Sequence, residues 1–185
     1  MDNGICRRVP IVLDEDGIAG GVEFIASPNF DERSTGADID LIVIHNISLP
    51  PNQFGGPGVL QLFTNQLDPN EHPYYREIYQ RRVSAHFFIR RSGELIQFVP
   101  CSKRAWHAGV SSWQGRERCN DFSIGIELEG TDDCDFEAAQ YAILNDLITA
   151  IRARYSITDI TGHSNIAPDR KTDPGPHFDW EKVKK

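Results

Sequence analysis

The sequence predicts a single-domain α/β (α+β) fold, a central mixed β-sheet flanked by helices. Three observations carry this. Asp40 to His45 is a continuous β-branched run with both faces apolar, the pattern of a central strand covered on both sides. Phe122 to Glu129 alternates with period two, and Asp135 to about Arg154 carries a broad apolar stripe at helical spacing. A chain of 185 residues fits one domain, and at that size about 70% of the unfolded surface can be buried.

In chain order, the first thirty-odd residues mix short apolar runs with Gly, Asp and Pro, which predicts extended segments and no long helix. Residues 1–26 are read as an extended N-terminal segment of the same domain that residues 27–185 complete. The strand ending at His45 breaks at Pro50-Pro51 and Gly55 to Gly58. Val59 to Leu67 reads as a short helix, and Tyr74 to Arg81 as another. Ser84 to Ile89 and Glu94 to Val99 flank Ser92-Gly93, a hairpin pattern. Cys101 to Asn120 has no clear period and reads as a long loop, of a length that is usually functional. In the period-two strand, Phe122, Ile124, Ile126 and Leu128 are expected on one side, with Ser123, Gly125, Glu127 and Glu129 on the other. Asp135 is the expected N-cap of the long helix. Ile157 to Ile160 is an extended link into Thr161 to Gly175, a polar loop that Pro168 and Pro174 keep from continuing as helix or strand.

Composition narrows the partners. With a net charge of −8 and no basic tract longer than the pairs Arg81-Arg82 and Arg90-Arg91, the chain repels nucleic-acid phosphates and anionic membranes. Neither is expected as a partner. Met1 to Arg8 is not followed by the apolar run of a signal peptide, and no run approaches transmembrane length, so the chain reads as cytosolic. Cys6, Cys101, Cys119 and Cys134 are unevenly spaced without a Cys-x-x-Cys pair, which predicts free thiols and neither a disulfide framework nor a thiolate metal site.

The chemistry gathers at the strand ends and the polar loop. A catalytic metal site wants three ligands and an open position, commonly imidazoles plus a carboxylate. His45 at a strand end, His163 in a Gly-flanked loop and Asp173 before Pro174 form such a set, with His107 the main competitor for a ligand position. His86, on an alternating strand, is either core or support for the site, while His72 and His177, beside prolines, read as surface residues. Glu127, on a small-residue face beside the gap at Gly125, either bonds an Arg or the backbone or serves as a general base. Lys171 and Arg170 read either as surface cations or, for Lys171, as a charge brought near the reacting atom by the ligand loop. Trp106 and Trp113, followed by Arg118, are either lid packing or a platform for a sugar or peptide. Arg82 is either a surface charge or a substrate anchor.

Taken together, Leu41 to Asn46, Ser84 to Phe87, Arg104 to Gly109, Asn120 to Glu127 and the Thr161–Gly175 loop resemble the AmpD-type N-acetylmuramoyl-L-alanine amidases. These are zinc amidases that share their fold with peptidoglycan recognition proteins. The resemblance runs from about Ser27 to Trp180. It implies one Zn2+ per chain on His45, His163 and Asp173, with Glu127 the catalytic glutamate and Lys171 assisting at the scissile carbonyl. It also implies substrate contacts at Asn46, Arg82, Trp106 and Arg118, and leaves His86 and His107 outside the metal shell. The implied reaction is hydrolysis of the lactyl–L-alanine amide of 1,6-anhydro-N-acetylmuramoyl peptides, in bacterial cytoplasmic recycling of peptidoglycan. No obligate protein partner is implied, and a monomer is expected. The alternatives are a non-catalytic muropeptide-binding module and an amidase acting on intact murein.

Overall fold

The computed structural model describes residues 9–184. Cys6 therefore lies outside the described residues, while Cys101, Cys119 and Cys134 are free thiols. The opening stretch forms β1 (Glu23–Phe24) and β2 (Phe30–Glu32), and the apolar run forms β3 (Leu41–Ile47). Two short helices follow, α1 (Gly58–Phe63) and α2 (Tyr75–Ile78). Both end earlier than the sequence suggests. The backbone turns left-handed at Asn65, just past α1, while past α2 Arg81 N–H reaches back only three residues, to Ile78.

The hairpin about Ser92-Gly93 is β4 (Phe87–Ile89) paired with β5 (Leu95–Gln97). The expected long loop after it is more ordered than its sequence indicates. It contains β6 (Lys103–Ala105), antiparallel to β2, and the small hairpin of β7 (Ser112–Trp113) and β8 (Arg116–Glu117). The residues between β7 and β8, Gln114 and Gly115, both have positive φ, as a tight two-residue hairpin turn requires. Gln is a rare occupant of that position, which hides the turn in the sequence.

β9 (Ser123–Glu129), α3 (Ala138–Arg154), β10 (Asp159–Gly162) and α4 (His163–Ile166) follow, with a 3-10 turn at Trp180–Lys182 near the end of the described residues. The expected N-cap of α3 is displaced from Asp135 to Glu137. Glu137 and Gln140 form a reciprocal capping box, whereas Asp135 pairs with His177. Buried Gln140 also sends its amide to the carbonyls of Ile89 and Glu129, stitching the helix start to the sheet.

The central sheet has the order β1-β5-β4-β9-β3-β10, with β4, β9, β3 and β10 mutually parallel and β5 antiparallel to β4. One face packs on α3, where Ile42, Ile44, Ile124, Ile126 and Leu128 meet Leu144, Leu147, Ile148 and Ile151. Burying each such side chain contributes about 1.5–3 kcal/mol. The opposite face carries Leu41 and Val43 against Ala108, Cys119 and Ile166. Phe122 belongs to this second cluster and not, as its alternation suggests, to the first. It follows a 3-10 turn at Cys119–Asp121 and is not yet in the strand, so the period begins one residue later. Among the described residues no helix is long and apolar enough to cross a membrane.

Candidate metal centre

Register brings the chemistry together. In the parallel pairing of β3 with β9, His45 stands opposite Glu127, and in that of β3 with β10, Ile44 stands opposite Gly162, one residue before His163. Three strands thus deliver His45, Glu127 and His163 to neighbouring points toward the carboxyl ends of parallel strands, where open α/β sheets gather ligands. Asp173 returns to the same place because Ser164 N–H donates to its carbonyl. The Pro174 ring lies so close to Gly162 that a Cβ there would come within 2.7 Å of its Cδ. Bare Gly162 therefore lets the two ends of the loop meet.

His45 Nδ1, His163 Nδ1 and Asp173 Oδ2 form a triangle with sides of 2.9, 3.0 and 3.1 Å. The His163 Nε2 hydrogen is taken by the Ala108 carbonyl at 3.1 Å, so its Nδ1 presents a lone pair toward a carboxylate oxygen. Two acceptors at that distance repel unless a cation lies between them, and this two-imidazole, one-carboxylate donor set suits zinc and leaves room for further ligands. Electrostatics agrees. Burial pushes His45 down to about 4, so it is neutral near pH 7.

Glu127 is buried, and its Oε2 has no hydrogen-bond partner. Burial first, and then the charge of Asp173, raise its pKa well above the ordinary value, while Lys171 opposes them. A carboxyl kept this basic, with one oxygen unsatisfied, is suited to take up a proton at the site. The gap beside it at Gly125 is filled by His107, whose ring would lie 2.4 Å from an added Cβ. His107 is not a competing ligand, because its Nδ1 faces the other nitrogen of His45, Nε2, at 3.0 Å.

These residues line a cavity of about 590 Å³ together with Asn46, Trp106, Arg81, Arg170 and Lys171. Residues 35–176, most of the chain, match the family model of N-acetylmuramoyl-L-alanine amidase. The chain belongs to this amidase family. Among its relatives is the 1,6-anhydro-N-acetylmuramyl-L-alanine amidase AmpD of Citrobacter freundii, 55% identical over 94% of each chain. The AmpD of Escherichia coli K12 is 54% identical over 94% of this chain and 96% of its own. A crystal structure of a selenomethionine AmpD derivative superposes with a TM-score of 0.90 at 54% identity, covering 94% of this chain and all of that one. The amidase AmiD of E. coli, solved with anhydro-N-acetylmuramic acid-L-Ala-D-γ-Glu-L-Lys, superposes at 0.57 with 29% identity, over 83% of this chain and 64% of its own.

Within this amidase fold the nine residues singled out from the sequence separate. His45, His163, Asp173, Glu127, Lys171, Asn46 and Trp106 all line the one cavity. Asn46 spends its amide hydrogens on Asp132 and the Pro174 carbonyl, and the Trp106 indole donates to Asp31 at 2.7 Å. Arg82 and Arg118 do not line it. Arg82 is exposed and turns to the carbonyls of Tyr79 and Arg81, while Arg118 pairs with Asp121 beside a second depression. Arg81 and Arg170 occupy the cavity wall instead. We expect Trp106→Ala to raise KM at least tenfold, with Arg82→Ala and Arg118→Ala each changing it by less than about threefold, in steady-state assays of amide hydrolysis.

Arg33 lacks a sequence signal altogether. It is largely buried and donates to the carbonyls of Cys101, Asn120, Asp121 and Ser123, holding the turn that leads into β9. Burial pushes its pKa down to about 10, so it remains charged. In a Gly- and Asp-rich stretch such a residue reads as a surface cation.

Proposed function

We propose that this amidase-family chain binds one Zn2+ on His45, His163 and Asp173 and hydrolyses the amide between the lactyl group of 1,6-anhydro-N-acetylmuramic acid and L-alanine. The setting would be cytoplasmic recycling of bacterial peptidoglycan. The observation that carries the reading is the three-atom triangle with Glu127 paired opposite His45 across β3 and β9. The names of relatives 54–55% identical over nearly the whole chain support the substrate.

When bound, zinc would supply Lewis acidity toward the attacking water and the scissile carbonyl. The chain's own groups do the rest. Glu127 accepts a proton from the water as its oxygen bonds to the carbonyl carbon. The carbonyl oxygen gains negative charge, which the ammonium of Lys171, a residue lining the cavity, would stabilise. As the C–N bond breaks, Glu127 returns the proton to the departing amine of L-alanine, leaving a lactyl carboxylate. Asn46 ties Asp132 to the Pro174 carbonyl, keeping one cavity wall against the ligand loop, and Trp106 offers an aromatic face for the sugar or peptide.

Removing one donor aimed at a developing oxyanion costs on the order of 10²–10³ in turnover. Lys171→Ala is expected to lose that much kcat while keeping its zinc, as metal analysis of the purified variant would show. Normal turnover in this variant would eliminate the role. The substrate is tested by incubating the protein with anhydro-muropeptide and, separately, with whole sacculi, and reading products by mass spectrometry. Free peptide from anhydro-muropeptide is the expected product. Release from sacculi alone would mark an amidase of intact murein, and binding without release a recognition module.

A further inference from the structure

Each histidine ligand turns one ring nitrogen to the triangle, and the two remaining nitrogens face a single dipeptide. His45 Nε2 lies 3.0 Å from His107 Nδ1, and His163 Nε2 lies 3.1 Å from the carbonyl of Ala108. The dipeptide is itself clamped. Buried Asn120 accepts the N–H groups of both His107 and Ala108 on its Oδ1, at 3.2 and 2.8 Å. Arg170 donates to the same Ala108 carbonyl at 2.8 Å.

Counting hydrogens fixes the sense of every bond. The carbonyl of Cys119 can only accept, so the Ser123 hydroxyl, 2.6 Å away, spends its one hydrogen there. Ser123 Oγ must then accept from His107 Nε2, 3.2 Å away. His107 is buried, and among the described residues its ring nitrogens hydrogen-bond to His45 and Ser123, with no carboxylate beside them to stabilise a second proton. Its Nδ1 is therefore a lone pair, which obliges His45 Nε2 to donate. That leaves the His45 Nδ1 lone pair for the triangle. At His163 the Ala108 carbonyl imposes the same outcome directly. Gly125 is the condition for this packing, since any side chain there would displace the His107 ring.

We propose that His107-Ala108, clamped by Asn120 and given its hydrogen-bond direction by Ser123, is a single bracket that sets the tautomer of both histidine ligands, so that each offers Nδ1 to the metal. His107, Ser123 and Asn120 are positioning residues that act through the two ligand histidines. The inference rests on the metal reading proposed above and adds to it the groups that make the site a ligand set before the ion arrives. Partners of this kind are commonly worth about 10–100-fold in metal affinity.

The test uses the whole chain and Zn2+ itself. Zinc affinity is measured by competition with a chromophoric chelator for the wild type and for His107→Ala, Ser123→Ala, Asn120→Ala and Asn120→Asp. The three variants that break the bracket should bind Zn2+ about 10–100-fold more weakly. Asn120→Asp, which keeps the accepting oxygen, should recover most of the loss, a rescue that general destabilisation would not give. In parallel, ring-nitrogen NMR of the zinc-loaded wild type should find the His107 proton on Nε2, a reading that needs no variant to fold. A His107 proton on Nδ1, or unchanged affinity in the variants beside a zinc-binding wild type, overturns the bracket alone. A wild type that takes up no Zn2+ overturns the metal reading beneath it.

Discussion

Glu127→Gln is expected to abolish most hydrolysis, by about 10²–10⁴-fold in turnover, while retaining zinc and becoming more stable than the wild type in its metal-free form at pH 8. The loss follows from the proton that glutamine cannot accept. The gain follows from the cost of keeping the carboxylate where it is. Burial and the charge of Asp173 raise the folded pKa of Glu127 well above the ordinary value, so the folded protein holds a proton that the unfolded chain has released. Stability from this group is complete below the unfolded value of about 4.3 and declines as pH rises toward the raised folded value. Glutamine removes the titration. Between pH 5 and 8 the metal-free variant should therefore lose less stability than the metal-free wild type, measured by denaturant melts at both values. Equal pH slopes would contradict the assigned burial cost, and retained turnover would contradict the proton-transfer role.

His45→Ala and Asp173→Ala should lose the metal as well as the activity, which separates them from Lys171→Ala and Glu127→Gln. Each removes one vertex of a triangle whose other two atoms lie 2.9–3.1 Å apart. Asp173→Ala also deletes the anion in contact with both buried imidazoles, so the ligand set itself no longer carries a negative charge to balance the cation. Metal analysis after gel filtration should fall from one zinc per chain to background in both, with hydrolysis at the level of a protein-free control. Either variant holding stoichiometric zinc would remove that residue from the ligand set.

Where the sequence was informative, it was so because burial and chemistry wrote the same pattern. β3 and β9 show themselves as strands because one is apolar on both faces and the other alternates, and their apolar positions are buried except half-buried Ile47 at the end of β3. The triangle was legible because its three residues sit at a strand end and at the two ends of one loop, which close approach of Gly162 and Pro174 brings together. What was hidden depends on contacts between distant segments. The turn at Gln114-Gly115 needs a positive φ at Gln114, a residue type that does not announce one. Phe122 changes face because a 3-10 turn delays the strand by one position. Arg82 and Arg118 are implied in sequence as substrate contacts, and the structure puts them outside the cavity, exposed, beside local carbonyls and Asp121 respectively. His107 was visible as a candidate, but that it serves His45 and does not join it depends on the ring filling the space at Gly125.

The central claim is that one metal on His45, His163 and Asp173 is required for cleavage of the lactyl–alanine amide. It is tested most directly by stripping the purified protein with a chelator, removing the chelator, and titrating Zn2+ back while following peptide release from anhydro-muropeptide. Activity should fall to background and return in proportion to zinc, saturating at one equivalent per chain. Full activity in the stripped, zinc-free protein would contradict the account.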